Sequence, residues 1–154
     1  MNNILNEIEY KMEYIEEITK CLGDKLEKED YEINDMGCPH EQPKKLPKGY
    51  SAIYIFIYET EKNYEFLKIG KANSKSNARF TSQHYGFSVK NTLAKSLCND
   101  KEFISLGVNE QNVKSWMLNN LHRINILVKS NKATTELVEA ILHYAFRPRY
   151  EGNI

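Results

Sequence analysis

The stretch YSAIYIFIYETEKNYEFLKIGK, which runs from Tyr50 to Lys71, decides the fold. Two of its parts, Tyr50–Tyr58 and Tyr64–Lys71, are rich in the aromatic and β-branched residues that favour strands. The polar sequence ETEKN separates them and is typical of a short connecting loop. The stretch therefore predicts an antiparallel β-hairpin.

The register of this hairpin determines which side chains share a face of the sheet. A five-residue loop centred on Glu61 pairs Tyr58 with Tyr64 next to the loop. Further along, the same register places Tyr54 opposite Lys68. Because opposite residues of an antiparallel pair point the same way, we expect Tyr54 and Lys68 to share one face. A slip of one residue would move whole strands to the other face.

More elements of secondary structure follow the hairpin. Turn and capping residues at 73–77 precede the first predicted helix. The predicted elements are helices at Asn77–Tyr85, closing at Gly86, at Val89–Cys98 and at Asn112–Leu121, a loop at Asn99–Gln111, a third strand at Arg123–Lys129, and a last helix that begins near Thr134 or Thr135 and ends before Pro148.

The last predicted helix has a polar face and an apolar stripe. Glu136, Glu139 and His143 are spaced three and four residues apart and share the polar face. The predicted buried stripe consists mainly of Leu137, Ala140, Ile141 and Ala145.

The chain before the hairpin divides into a helix and a linker. Apolar residues recur at steps of three and four, which predicts a helix with one apolar stripe, at Ile4, Ile8, Met12, Ile15, Ile18, Leu22 and Leu26. We expect an N-terminal amphipathic helix over residues 1–28, broken or ended near Gly23 or soon after Leu26. Its stripe either packs on the main domain or forms a seam in a homodimer or with a protein partner.

The segment after this helix is polar and rich in proline. Residues 29–49 contain Pro39, Pro43 and Pro47, which is typical of a linker, and the main domain then covers residues 50–154. Cys38 and His40 in this linker lack a matching Cys/His pair at metal-ligand spacing, so we do not interpret them as a metal site.

Composition and charge narrow the class of protein. The chain has 154 residues, of which 41% are hydrophobic and 27% are charged, as in a soluble globular domain. No apolar run has the length of a membrane span, and the 3 scattered cysteines suit a reducing compartment, so we expect a cytoplasmic protein with no membrane partner. Residues 1–42 carry 12 Asp/Glu against 4 Lys/Arg, whereas residues 43–154 carry 9 against 17. The basic body suits a phosphate-bearing partner.

Several short motifs occur in order along the main domain. AIY at Ala52–Tyr54 is followed by KIG at Lys68–Gly70, then by Lys71, and by Arg79 eight residues further on. Near the C-terminal end, in EAILHYAFRPRYEGN, Glu139 precedes a Pro-Arg-Tyr sequence by nine residues. In this order and spacing the chain resembles the GIY-YIG nuclease superfamily, and the resemblance spans residues 50–153.

The resemblance implies a fold, a reaction and a role for each residue. The implied fold is an α/β (α+β) domain with a small three-stranded antiparallel sheet flanked by helices, here with an N-terminal helical extension. The implied reaction is hydrolysis of a DNA phosphodiester with Mg²⁺ or Mn²⁺. By position, Tyr54 is the general base or the group that orients the water, Arg79 clamps the scissile phosphate, and Glu139 holds the metal. Lys68 or Lys71 is the cation expected to lower the pKa of Tyr54.

The chain departs from the family pattern at three positions. Lys68 replaces the tyrosine of the second motif. Gln83 lies four residues after Arg79, where the family often has histidine or tyrosine, and His84 is the next candidate for that role. Glu151 stands where an asparagine is expected.

The leading hypothesis is a metal-dependent DNA endonuclease acting in a restriction, defence or mobile-element setting. One alternative is a GIY-YIG scaffold that binds nucleic acid or protein with weak or no catalysis, because of the substitutions at Lys68, Gln83 and Glu151. Another is an interaction protein that works through its N-terminal helix. Each candidate residue also has a purely structural interpretation. In it Tyr54 packs on a face of the sheet, Lys71 and Arg79 are solvated, and Glu139 pairs with His143 or Arg147.

Overall fold

The computed structural model describes residues 2–129 and 131–150 and has a mixed α+β fold. Its strands are β1 (Tyr31–Gly37), β2 (Tyr50–Glu59), β3 (Tyr64–Asn73) and β4 (Leu121–Lys129). Its helices are α1 (Asn2–Cys21), α2 (Asn77–Thr81), α3 (Leu93–Cys98), α4 (Lys101–Ser105), α5 (Val113–Asn120) and α6 (Lys132–Phe146). None of the helices in these two ranges combines the length and apolar character needed to cross a bilayer.

All four strands form one antiparallel sheet in the order β1-β4-β2-β3. The sheet therefore has one strand more than the three expected. The additional strand, β1, lies in residues 29–49, which were predicted to be a linker. That prediction was wrong because β1 alternates half-buried residues with exposed polar ones such as Glu32 and Asn34, which leaves a weak apolar signal. The chain after β1 crosses the sheet, and His40 and Leu46 are buried there.

The β2–β3 hairpin forms, but its register differs from the prediction. The turn Thr60–Asn63 is one residue shorter than the predicted loop, which shifts the pairing by one. A β-bulge next to Phe56 shifts it by one more, so Tyr54 lies opposite Gly70 and not opposite Lys68. Two shifts of one residue restore the original faces, so the prediction that Tyr54 and Lys68 share a face is confirmed.

Apolar side chains pack on both faces of the sheet. On one face, Tyr54 and Phe56 of β2 belong to a core cluster with side chains of α3, α4 and α5. On the other face, Ile53, Ile55 and Ile57 belong to a second cluster with α1 and α6. The motif residue Tyr54 therefore points into a different layer from the one that α1 covers.

The apolar stripe of α1 packs on the sheet, which confirms the first of the two interpretations proposed for it. Its buried members are Ile4, Ile8, Met12 and Ile15. The helix ends at Cys21, close to the first of the two predicted ends, and Gly23 with a φ of 89° follows in a turn. Two members of the predicted stripe are exposed, namely Ile18 in the last turn of the helix and Leu22 just beyond its end.

The structure corrects two helix boundaries in the middle of the chain and adds one helix. The first predicted helix ends at Thr81, and a separate 3₁₀ turn follows at Gln83–Tyr85. The second begins at Leu93, because the Thr92 hydroxyl caps it by accepting the Lys95 N–H. The segment predicted to be a loop contains α4, whose side chain Phe103 is fully buried.

The last helix buries a different stripe from the one predicted. Val138 and Leu142 are its buried apolar residues, and Thr135 at its start bonds to Ser51 of β2 at 2.6 Å. This bond and the packing on β2 and β3 rotate the helix relative to the predicted orientation. The predicted stripe is only half-buried or exposed: Leu137, Ala140, Ile141 and Ala145.

Candidate active site

Three of the predicted site residues, Lys71, Arg79 and Glu139, line one cleft, whereas Tyr54 and Lys68 are buried and do not line it. β3, the turn after it, α2 and α6 border a space of about 610 Å³. Lys71, Lys75 and Arg79 line one side of this cleft, and Glu136 and Glu139 of α6 line the other. Strand, turn and two helices therefore bring together side chains that are far apart in the sequence.

The turn between β3 and α2 is fixed by side-chain caps. Asn73 Oδ1 accepts the backbone N–H of Ser76 at 3.1 Å. Asn77 Oδ1 accepts the backbone N–H of Leu46 at 2.7 Å, which ties the start of α2 to the chain that follows β1. Arg79 is therefore presented from a short helix whose beginning is held at two points.

The hydroxyl of Tyr54 is the centre of the hydrogen bonding at the site. The Nε–H of Arg79 donates to this oxygen at 3.2 Å, and Nε2 of His84 lies 2.7 Å from it. The backbone N–H of Leu93 donates to His84 Nδ1 at 3.2 Å, so Nδ1 is the acceptor of the neutral ring and Nε2 carries the proton. The Tyr54 oxygen thus accepts two hydrogen bonds, and neither of them uses its own O–H proton.

Tyr54 lies beneath Arg79. Tyr54 is 0% exposed, whereas Arg79 is exposed and lines the cleft. Within residues 2–129 and 131–150, the two terminal nitrogens of Arg79 make no hydrogen bond, while its Nε is held by Tyr54. The tyrosine therefore orients the guanidinium and leaves its outer edge available to a ligand in the cleft.

Burial sets the protonation states of the residues around this hydroxyl. Burial raises the pKa of Tyr54 above its usual value of 10.0, although the hydrogen bond and the charge of Arg79 act in the opposite direction. The expectation that Lys68 or Lys71 would lower this pKa is therefore wrong. Burial also lowers the pKa of Lys68, whose ammonium group donates to the Asn91 carbonyl at 3.1 Å.

His84, and not Gln83, is the residue that bonds to Tyr54. Burial lowers the pKa of His84 to about 3, and the positive charges of Lys68 and Arg79 add to this effect. The imidazole is consequently neutral at physiological pH and serves as a hydrogen-bond donor to the tyrosine. The substitution at Glu151 lies outside the described residues.

A close approach between two strands explains the glycine of the KIG motif. Tyr54 lies opposite Gly70, and its ring extends over the glycine backbone. A β-carbon added to Gly70 would overlap the ring and hydroxyl of Tyr54. Only glycine therefore leaves room for the tyrosine side chain in this position.

Glu139 forms an ion pair with Lys71 across the cleft. Lys71 Nζ and Glu139 Oε1 are 3.2 Å apart, and the two side chains are 42% and 22% exposed. The sequence did not indicate this pairing, because the two residues come from β3 and α6. In this arrangement Lys71 is paired with the carboxylate to which the family resemblance assigns the metal.

The donor set at the cleft fits a hard divalent cation that binds together with phosphate. In the part of the chain that the structure describes, no group of three or more His, Cys, Asp or Glu side chains forms a metal cage. Mg²⁺ usually keeps several waters and is bound by one or two carboxylates plus substrate phosphates. A single carboxylate beside phosphate-binding cations meets this requirement, and Glu139 supplies it at the cleft.

A second histidine–tyrosine–arginine cluster lies behind the site, and the sequence analysis missed it. Arg123 Nη1 donates to the Tyr85 hydroxyl at 2.9 Å, and His40 Nε2 lies 2.7 Å from the same oxygen. His40 Nδ1 donates to the Leu121 carbonyl at 2.7 Å, so Nε2 accepts the tyrosine proton. A signal was present, because Arg123 interrupts an apolar strand at an inward-facing position.

Comparison of the chain with protein-family models, curated proteins and solved structures finds no match of any of the three kinds. The resemblance to the GIY-YIG superfamily therefore rests on the motifs alone, and the geometry of the cleft is the second, independent line of support for a function.

Proposed function

We propose that this protein is a metal-dependent DNA endonuclease of the GIY-YIG type. The observation that carries the proposal is the bond of 3.2 Å from Arg79 Nε to the buried hydroxyl of Tyr54, with the rest of the guanidinium at the cleft. A fork held in this way can bind two oxygens of a phosphate. Lys71 and Lys75 add positive charge to the same cleft, which suits a nucleic-acid backbone.

Each residue then has a part in the reaction. Arg79 binds the scissile phosphate and stabilises the negative charge that develops on it. Glu139 would hold the metal once its carboxylate has separated from Lys71. A divalent ion bound there would supply Lewis-acid chemistry: it would lower the pKa of a bound water, whose proton passes to the solvent, and would stabilise the charge on the leaving oxygen. Tyr54 is neutral and orients Arg79 by accepting its Nε–H, which leaves the outer edge of the guanidinium to the phosphate.

A second candidate function is a nucleic-acid binding module without catalysis. Two observations favour it: Tyr54 is buried, and Glu139 is paired with Lys71. Before any catalytic step, Tyr54 would have to become accessible and the ion pair would have to separate. In that case the cations of the cleft bind the phosphate backbone, and no metal-dependent step follows.

The test is to incubate the purified protein with single-stranded, duplex and branched DNA in the presence of Mg²⁺, Mn²⁺ or a chelator. The endonuclease proposal predicts cleavage with a metal and none with the chelator. An Arg79→Ala protein purified in parallel should not cleave, which excludes a contaminating nuclease. Binding of DNA without cleavage favours the second candidate, and absence of both binding and cleavage contradicts the two together.

A further inference from the structure

Arg123 on β4 is a buried cation behind the cleft. It is 1% exposed, and its guanidinium lies 4.9 Å from the ring centre of Phe56 and 5.0 Å from that of Phe80. Its Nε donates to Asn125 Oδ1 at 2.9 Å. No carboxylate in residues 2–129 and 131–150 forms an ion pair with it. Because burying a charge without an opposite charge is unfavourable, its presence calls for a specific role.

The remaining nitrogens of Arg123 bond to two segments that carry site residues. Nη2 donates to the Phe80 carbonyl at 2.7 Å, and Nη1 donates to the Tyr85 hydroxyl at 2.9 Å. Phe80 directly follows Arg79 in the chain, and Tyr85 directly follows His84. Arg123 thus bonds to the chain neighbour of Arg79 and to that of His84, the two residues that donate to the Tyr54 hydroxyl.

We propose that Arg123 is a positioning residue that sets both donors against Tyr54. The two segments are short, five residues in α2 and three in the 3₁₀ turn, so neither holds its geometry by helix formation alone. A guanidinium is rigid and planar, so one group bonded to both segments fixes their separation. The catalytic consequence rests on the proposed nuclease function, whereas the positioning itself does not.

The test uses the full chain labelled with ¹³C at tyrosine Cζ and with ¹⁵N in the histidine rings, observed by NMR. Tyr54→Phe and His84→Gln spectra assign the two resonances. Arg123→Met keeps an unbranched side chain among the rings and removes all donors, and Arg123→Lys keeps the charge without the fork. In both variants we expect the Tyr54 resonance to shift and His84 to lose its single Nε2–H tautomer.

A matched control separates positioning from a general loss of stability. Ile126→Ala lies on the same strand but belongs to the opposite apolar layer, so it should destabilise the chain and leave both resonances unchanged. Wild-type resonances in a folded Arg123→Met protein would overturn the inference. If that variant does not fold, Arg123→Lys decides, and unchanged resonances there overturn the inference in the same way.

Cleavage kinetics connect the inference to the proposed function. Misplacing a catalytic group by about 1 Å lowers a rate on the order of 10²-fold, so kcat of the Arg123 variants should fall by about that factor. KM should change much less, because the cations that bind DNA remain in the cleft. If the wild-type protein cleaves no DNA, the proposed function fails, and the NMR result still decides the role of Arg123.

Discussion

Arg79 and Tyr54 form one unit, in which an exposed guanidinium is bonded through Nε, at 3.2 Å, to the hydroxyl of a fully buried ring. His84 donates to the same oxygen from the other side at 2.7 Å. The tyrosine therefore acts as the acceptor that fixes two donors, and the free edge of the arginine is the part that a phosphate can reach.

The Tyr54→Phe variant tests the contribution of the hydroxyl of Tyr54 independently of its ring. The variant keeps the packing but removes the acceptor of both bonds, so Arg79 loses its orientation and kcat should fall on the order of 10²-fold. The buried donor of His84 loses its partner, which should lower the free energy of unfolding by about 1–3 kcal/mol. Cleavage kinetics and urea unfolding measure the two effects.

Tyr58→Phe is the control for this substitution. Tyr58 packs against Phe103 and Trp116 in the same core layer, away from the cleft. The Tyr58→Phe protein should therefore have the same kcat as the wild type. A wild-type kcat in Tyr54→Phe as well would show that the hydroxyl of Tyr54 has no part in the reaction.

Glu139→Gln should abolish metal-dependent cleavage. The substitution keeps the shape of the side chain and removes the negative charge that a hard cation requires. Binding of DNA should persist or become tighter, because the substitution removes a negative charge from a cleft that contains several cations. Cleavage assays and fluorescence anisotropy with labelled DNA measure the two properties, and Glu136→Gln, on the same helix and cleft, is the control that should retain most activity. Normal turnover in Glu139→Gln would remove this residue from the site.

Lys71→Met should strengthen metal binding. Lys71 Nζ lies 3.2 Å from the Glu139 carboxylate and therefore competes with a cation for it. Calorimetric titration with Mn²⁺ in the absence of DNA should show a lower Kd for the variant. The stability should change by less than about 1 kcal/mol, because the pair is partly exposed to solvent. Lys75→Met, which lines the same cleft, is the matched control, and equal Mn²⁺ affinities of all three proteins would contradict the competition.

Gly70→Ala should destabilise the fold, because its β-carbon overlaps the ring of Tyr54. Overpacking of this kind lowers the free energy of unfolding by about 1–3 kcal/mol. Gly86→Ala is the control, since a β-carbon there meets no atom within 4 Å. Urea unfolding measures the stability of both variants. In a Gly70→Ala/Tyr54→Leu double variant, the loss of free energy of unfolding should be smaller than the sum of the losses in the two single variants. Equal stability of both single variants would contradict the close approach.

The hairpin and β4 were predictable because they are rich in aromatic and β-branched residues, whereas β1 was not. β1 is an edge strand that alternates exposed polar residues with half-buried ones, and its partner β4 lies about ninety residues further along the chain. The bulge beside Phe56 was equally hidden, since no residue type marks it. It reversed a register error of one residue, and for that reason the face shared by Tyr54 and Lys68 was still predicted correctly.

The motif residues could be identified because their spacing is read directly from the sequence. Their surroundings depend on tertiary contacts and could not be identified in this way. The positions of Arg79 and Glu139 on one cleft follow from the ordered motifs and the placement of α2 and α6. The depth of Tyr54 depends on Arg79 above it and on the layer beneath it, so the direction of its pKa shift could not be derived from nearby lysines. The pair of Lys71 with Glu139 joins residues 68 positions apart and was missed for the same reason.

Two buried histidines should make the stability of the protein depend on pH. Burial lowers the pKa of His84 to about 3 and that of His40 to about 4. In the unfolded chain a histidine binds a proton below about pH 6.5. Between these values the unfolded state holds more protons than the folded state, so stability is complete above about pH 6.5 and falls as the pH decreases.

His84→Gln should reduce this dependence, because glutamine cannot take up a proton and its amide can still donate to Tyr54. For a histidine that stays neutral in the folded state, lowering the pH from about 7 to about 5 removes about 2 kcal/mol of the free energy of unfolding. Urea unfolding of both proteins at these two pH values measures the loss. Carboxylates contribute equally to wild type and variant, so the difference between the two losses isolates His84, and it should be about 2 kcal/mol larger for the wild type. Equal losses would mean that His84 takes up its proton as readily in the folded chain as in the unfolded one, and that burial does not hold the ring neutral.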